Sequence, residues 1–299
     1  MTSAIGSQHV GFSKWLAGAR PRTLPAAIAP VLVGTSLIHS EKRSINLLNG
    51  LAALLVSLLL QIAVNFSNDY SDGIRGTDKN RVGPMRLVAS GLATAKHVKA
   101  AAYFCFFLAS FCGLFLASRT SWWLIPSGLI CIIAAWTYTG GAKPYGYSGF
   151  GEISVFIFFG VVATVGSYFV QSGRVTWQSF LLSVPMGTLS CAILCINNLR
   201  DLPKDAVVGK KTLAVRIGDK NARKMFVALI VLAHFASLLI FLITPWALVT
   251  ILFLPMAVRI SQNVMGGAQG AALIPILGKV GKLQLFIAVA LAIALLTQR

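Results

Sequence analysis

Acidic residues are nearly missing from this chain. Eight Asp and Glu stand against 26 Lys and Arg, a formal net charge of +18. Charged residues of both signs make up only 11% of the sequence, where a water-soluble domain carries about 25%. That scarcity excludes an ordinary solvated surface. Cysteine and histidine are also few. Cys105, Cys112, Cys131, Cys191 and Cys195 all lie inside apolar runs, and the four histidines are scattered. None makes a metal-ligand spacing, so the thiols read as small buried hydrophobes rather than disulfides or a metal site. No GxxxxGK[ST] occurs, so a nucleotide P-loop is not supported. The high positive charge could suggest nucleic acid. In a chain this apolar, the positions of the charges matter more than their sum, and no nucleic-acid partner is expected.

What the sequence has in excess is uncharged apolar runs. Hydrophobic residues make up 56% of it, and the mean hydropathy is +0.77. A run of about 20 apolar residues spans a bilayer. The pattern predicts an all-α, polytopic membrane protein, a single domain over 1–299, with nine transmembrane helices. They fall near 23–40, 46–68, 98–118, 121–138, 152–171, 177–198, 223–243, 245–261 and 281–298. Pro245 and Pro255 bracket the eighth. The stretch SQNVMGGAQGAALIPILG that follows reads as a Gly-rich mobile loop. No cleavable leader is expected, because the first apolar run lacks a small-residue cleavage site. With the N-terminus in the cytoplasm, 21 of the 26 Lys and Arg fall inside and the other 5 outside. An asymmetry of that size sets the orientation in the cell membrane. The acids sort the same way, and only Glu41 faces out.

Three of the eight acids crowd into NFSNDYSDGIRGTDKNRVGPMR, Asn65 to Arg86, at the inner end of the second span. A second cluster, CINNLRDLPKDAVVGKKTLAVRIG, Cys195 to Gly218, sits at the inner end of the sixth. Asn65, Asp69 and Asp72 fall at i, i+4 and i+7. Asn197, Asp201 and Asp205 fall at i, i+4 and i+8. Each set lies along one side of a helix, although Pro203 can end the second helix before Asp205. The echo between NDYSD and NNLRD hints at two four-helix units, about 23–138 and 152–261, followed by a ninth helix. Asp and Asn also cap helices and open turns, and Asp72-Gly73 has the look of a turn. Carboxylates packed on one face repel, so a cation belongs among them. It can be an Arg or Lys, or a metal. All-oxygen ligands favour Mg²⁺ or Ca²⁺. Mg²⁺ takes one or two carboxylates and completes its shell with water and substrate phosphates. Arg75, Lys79, Arg81, Arg86, Lys204, Lys210 and Lys211 stand ready for the rest of a phosphate's charge. Intramembrane acids also mark ion pathways, but a transporter's inverted repeats usually place the site at mid-membrane.

A third stretch, WTYTGGAKPYGYSGFGE, Trp136 to Glu152, joins the fourth and fifth spans. Its aromatics read first as an interface belt, Tyr147 above all. The other reading is that some rings stabilise a carbocation while Lys143 binds an anion.

NxxxDxxD after the second span and DxxxD after the sixth resemble the UbiA superfamily of intramembrane prenyltransferases. The three stretches above, with GARPRTLPAAIAP from Gly18 to Pro30, are most similar to its menaquinone-pathway branch. The likeness covers about residues 18 to 220, and the last three spans match in hydropathy only. The superfamily's common first motif is NxxxDxxxD. Here Gly73 takes the last place and the second Asp is Asp72, a shift that the branch shares. The resemblance implies a nine-helix bundle with a central cavity open to lipid, and a Mg²⁺ cofactor. It implies transfer from a polyprenyl diphosphate to 1,4-dihydroxy-2-naphthoate, with loss of CO₂ and diphosphate, giving demethylmenaquinone. Other aromatic or lipid acceptors stay open. Asp69, Asp72, Asp201 and Asp205 are the expected metal ligands and, with Lys143, the expected catalytic set. Asn65, Asn68, Arg75, Asp78, Lys79, Arg81, Tyr138, Tyr145, Asn197, Asn198, Lys204 and Lys211 are the expected substrate contacts. Asp78 can bind metal or only orient its loop.

Overall fold

The computed structural model describes residues 11–77 and 82–298. Among them there are helices and turns and no strand. Ten helices follow in order. They are α1 (Phe12–Ala19), α2 (Pro25–Ser40), α3 (Leu47–Ile74), α4 (Ala95–Arg119) and α5 (Leu124–Thr137), then α6 (Gly151–Ser172), α7 (Trp177–Val207), α8 (Leu213–Leu239), α9 (Leu254–Met265) and α10 (Leu273–Leu296). With no water in a bilayer core, every backbone N–H and C=O must be paired within the segment, and a helix does that.

Seven of the described helical segments are long and apolar enough to cross a membrane. Phe12–Thr23 and Pro25–Ser40 meet at a 57° bend and make an eighth if they count as one span. Each expected span meets a helix, but the count of nine is not established. The ninth candidate, α5, has 14 residues and rises only about 21 Å, short of a hydrocarbon core of about 30 Å.

The chain differs from the sequence reading in two further places. The stretch expected as a mobile loop is mostly helical. α9 runs on to Met265 and α10 starts at Leu273, so only residues 266–272 lie between them, and Gly270–Ala272 is itself a helical turn. Two of its glycines, Gly267 and Gly270, take the positive φ of the turn, while Gly278 sits inside α10. Pro203 does not end α7, which continues to Val207. Asp201 and Asp205 are therefore four apart on one continuous helix.

α7 is the central helix. Of its most apolar stretch 78% is buried, against 28% for α3 and for α4, whose outer faces are left to lipid. Small residues let α6 approach it. A Cβ on Gly160 would stand 2.6 Å from the Cα of Gly187, and this crossing falls in a π-helical stretch, Phe156–Val162. Trp122, Trp123, Trp177 and Trp246 are exposed at the end of the bundle away from the Asp motifs, where indole rings suit a membrane interface. At that end Glu41 accepts hydrogen bonds from Tyr168 (2.5 Å) and Arg174 (2.6 Å), tying α2 to the end of α6.

Candidate functional site

A cavity of about 370 Å³ runs between α2, α3, α5, α6 and α7. Its walls reach from Ala53 to Asp72 along α3, a rise of about 28 Å at 1.5 Å per residue. At the far end they are apolar, with Val31, Leu116, Leu124 and Val170. Polar groups gather at the other end: Asp72, Asp201 and Asp205, the amides Asn65, Asn68, Asn197 and Asn198, and the cations Arg20, Arg86, Lys204 and Lys210. Both clusters thus open on one space, and α3 and α7 each bring carboxylates to it.

Asp72 joins the loops around that space. It is 4% exposed. Its Oδ1 accepts from the Tyr147 hydroxyl, from Lys210 Nζ at 3.0 Å and from the Thr77 hydroxyl at 3.3 Å. Its Oδ2 accepts from Arg86 Nη2 at 3.3 Å. The α3–α4, α5–α6 and α7–α8 connections all send a donor to this one side chain. Lys210 also lies 4.4 Å from the centre of the Tyr147 ring, and Arg75 5.5 Å from it, both in cation–π range. Burial, with Asp72 beside it, pushes the Tyr147 phenol up, so it stays protonated and donates. Tyr147 is therefore part of the site and not a belt residue. Asp201 sits differently. Arg200, its own neighbour in the chain, holds both oxygens, at 2.7 and 2.6 Å.

The structure separates several residues that the sequence grouped. Asp69, 1% exposed, does not line the cavity. Its Oδ2 accepts Leu87 N–H (2.7 Å) and its Oδ1 accepts Val88 N–H (3.0 Å). It caps the turn that begins at Arg86, with one backbone N–H on each oxygen. Lys143 and Lys211 are exposed and outside the cavity lining. The backbone N–H of Lys211 donates to Tyr147 O at 2.8 Å and ties the α7–α8 connection to the third stretch. Arg75 braces the third stretch by donating to Thr139 O and Gly141 O. Asn65 holds the α1 end through Ala19 O at 2.9 Å, and Asn68 accepts from the Thr139 hydroxyl at 2.7 Å. Tyr138 and Tyr145 line the cavity and meet edge to face. Asp78, Lys79 and Arg81 lie outside the described residues.

Arg20, Arg200 and Gln61 belong to the site and were not singled out by the sequence reading, while Arg86 and Lys210, expected only as phosphate neighbours, also hold Asp72. Arg20 had one local signal, the prolines on each side of the Arg20–Leu24 bend. It takes φ 57°, a left-handed conformation that side chains other than glycine rarely adopt.

Asp69→Asn should destabilise the protein. The substitution turns one acceptor into an NH₂ that faces a backbone N–H, at a cost of about 1–3 kcal/mol. We expect a lower thermal midpoint in detergent and faster proteolysis within 82–94. An unchanged midpoint and cleavage pattern would show that the cap carries no stability.

Among the described residues, no group of three or more His, Cys, Asp or Glu is gathered to hold a metal ion. The donor set still fits a hard cation. It is all oxygen, and Mg²⁺ needs only one or two carboxylates when water and phosphate complete the shell. Asp72, Asp201 and Asp205 fit an ion that arrives with a diphosphate rather than one held in a preformed cage.

The UbiA prenyltransferase family model matches residues 27–271. A Mycobacterium tuberculosis protein named 1,4-dihydroxy-2-naphthoate octaprenyltransferase is 48% identical, over 95% of this chain and 97% of its own. The Escherichia coli protein of the same name is 37% identical, over 90% of each chain. Among solved structures, a UbiA homolog from Aeropyrum pernix matches with a TM-score of 0.71 at 15% identity, over 95% of this chain and 99% of that one. A UbiA homolog from Archaeoglobus fulgidus bound to DMAPP and Mg²⁺ matches at 0.65 and 14% identity, over 93% and 99%. Motifs, fold and comparisons converge: this multi-pass membrane chain belongs to the UbiA prenyltransferase family.

Proposed function

We propose that this chain transfers a polyprenyl group from a polyprenyl diphosphate to 1,4-dihydroxy-2-naphthoate, releasing diphosphate and CO₂ and forming the quinol, demethylmenaquinol, which is oxidised to demethylmenaquinone only afterwards. One observation carries the reading. A long apolar cavity ends in carboxylates from two helices, with buried cations among them. That is the shape and charge of a prenyl diphosphate, tail in lipid-like surroundings and headgroup at the polar end. The names of the relatives select the acceptor.

The chain's own groups suit each part of the chemistry. Arg86 and Lys210 would stabilise negative charge growing on the leaving diphosphate. The apolar walls, with Phe158 and Phe159 among them, keep water from an allylic cation, and the electron-rich naphthalene ring attacks it. Asp72, Asp201 and Asp205 would hold Mg²⁺, which supplies Lewis-acid neutralisation of the departing diphosphate. The structural neighbour solved with DMAPP and Mg²⁺ supports that choice of cofactor. We place the protein in the cell membrane with the polar end of the cavity cytoplasmic. The support is the uneven distribution of Lys and Arg.

The test is product analysis. Purified protein in liposomes, given a prenyl diphosphate, 1,4-dihydroxy-2-naphthoate and Mg²⁺, should form a decarboxylated prenyl naphthoquinol seen by mass spectrometry. Prenylation of 4-hydroxybenzoate or a glyceryl phosphate in its place would move the chain to another acceptor class. No prenylated product from any acceptor would overturn the enzyme reading.

A further inference from the structure

Glu152 is a buried acid that the chemistry above does not use. It is the second residue of α6 and 8% exposed. Its Oε1 accepts from Asn198 Nδ2 at 2.9 Å, and its Oε2 is buried with no hydrogen-bond partner. Its backbone carbonyl accepts from the Cys191 thiol at 3.1 Å, which fixes the start of α6 against α7. A buried carboxyl oxygen with no partner is destabilising, so the fold bears a penalty to keep an acid here. Glu152 itself does not line the cavity, but Asn198 does.

In this geometry the Glu152 carboxyl oxygen is the acceptor and the Asn198 NH₂ the donor. That contact fixes which end of the Asn198 amide faces Glu152. The NH₂ goes to Glu152 and the carbonyl oxygen is left for the cavity. A carbonyl oxygen takes a hydrogen-bond donor, such as a ring hydroxyl, and repels a carboxylate or phosphate oxygen. Asn198 precedes Asp201 by three residues on α7 and shares its side of the helix. A hydroxyl held there would sit about one turn from the diphosphate end. Tyr138 completes the corner. Its hydroxyl stands 3.0 Å from where a Cβ on Gly151 would be, so any larger residue there would crowd it.

We propose that Glu152 is a positioning residue: it turns the Asn198 carbonyl into the cavity, and Asn198 so reads a ring hydroxyl of the aromatic acceptor. This rests on the function proposed above.

The test uses full-length protein in liposomes, with both substrates varied. Glu152→Ala and Asn198→Ala should each raise the acceptor KM about tenfold and leave the donor KM unchanged. The double variant should be no worse than Asn198→Ala alone, because the two act as one unit. Glu152→Gln, whose amide oxygen can still accept from Asn198, should recover most of the loss. Binding to donor-free protein, followed by tryptophan fluorescence, gives a second measure. The variants should lose affinity for the dihydroxynaphthoate and not for 2-naphthoate, which has no ring hydroxyl. Equal losses for both ligands, additive effects in the double variant, or a matching rise in donor KM would each overturn the assignment. If Glu152→Ala does not fold, Glu152→Gln and Asn198→Ala still decide it, since unchanged acceptor binding in Asn198→Ala removes the reader. Wild-type turnover with unaltered variant kinetics sinks this inference alone. Wild-type protein that neither binds nor prenylates the dihydroxynaphthoate sinks the functional reading and this one with it.

Discussion

Asp72→Asn should lower kcat on the order of 100- to 1000-fold while leaving a folded protein. The size follows from the number of groups that meet on this carboxylate. Tyr147, Lys210, Thr77 and Arg86 all donate to it. Arg86 and Lys210 are 7% and 11% exposed at the side chain, so water cannot take over their charge. Removing one partner of a buried pair costs about 3–5 kcal/mol, because the remaining charge is left uncompensated. Asn keeps the shape and one acceptor, so Tyr147 can still dock. The cations that should face the diphosphate lose their anchor, and a misplaced electrostatic group of this kind costs about 10²–10³ in kcat. Tyr147→Phe removes one of the four donors and should cost much less. The measurement is single-turnover product formation, beside size-exclusion profiles and thermal midpoints. Near wild-type turnover in Asp72→Asn would remove Asp72 from the site.

The contrast between Asp69 and Asp72 shows where the sequence was legible and where it was not. Spacing put both on one face of α3, and they are on one helix as read. Spacing could not say that a turn formed some 18 residues later would fold back and present two backbone N–H groups to Asp69. A tertiary hydrogen bond to backbone carries no side-chain signature. The same holds for Tyr147. An aromatic near a membrane end is usually a belt residue, and only the fold of Trp136–Glu152 aims its hydroxyl at Asp72. Lys143 shows the reverse: a lone cation on a short loop looked aimed, and the fold leaves its side chain exposed and outside the cavity lining. Helix existence was legible because apolar runs of this length have few alternatives. Pro203 was overridden because its ring lies on an exposed face of α7, and a helix tolerates the lost hydrogen bond when packing continues on both sides. The bend at Arg20–Leu24 and the close Gly160–Gly187 crossing depend on pairwise packing, which single-sequence periodicity does not encode.

Excess chelator should stop product formation, by at least about 100-fold, and Mg²⁺ in excess of the chelator should restore it. The reasoning is a charge balance at the polar end of the cavity. Four cations line it, Arg20, Arg86, Lys204 and Lys210, against three carboxylates, Asp72, Asp201 and Asp205. A diphosphate brings more negative charge than that single excess cancels. Arg86 and Lys210 are already bound to Asp72, and Asp201 is held by Arg200, so moving these cations to phosphate would leave carboxylates facing an anion across a low-dielectric space. Unlike charges attract, and like charges repel, far more strongly there than in water. A divalent ion shared by carboxylate and phosphate removes both problems. Lewis-acid stabilisation of this kind is worth several kcal/mol, and each 1.36 kcal/mol is tenfold in rate. Monovalent salt at matched ionic strength should not substitute, because screening reaches exposed charges and not this cavity. The assay is a metal-free preparation titrated with Mg²⁺, with prenyl diphosphate binding measured in parallel. Binding should weaken along with turnover, because the same charge balance governs both. Full turnover at a metal content below the enzyme concentration would refute the requirement, and would leave Arg86 and Lys210 to neutralise the diphosphate unaided.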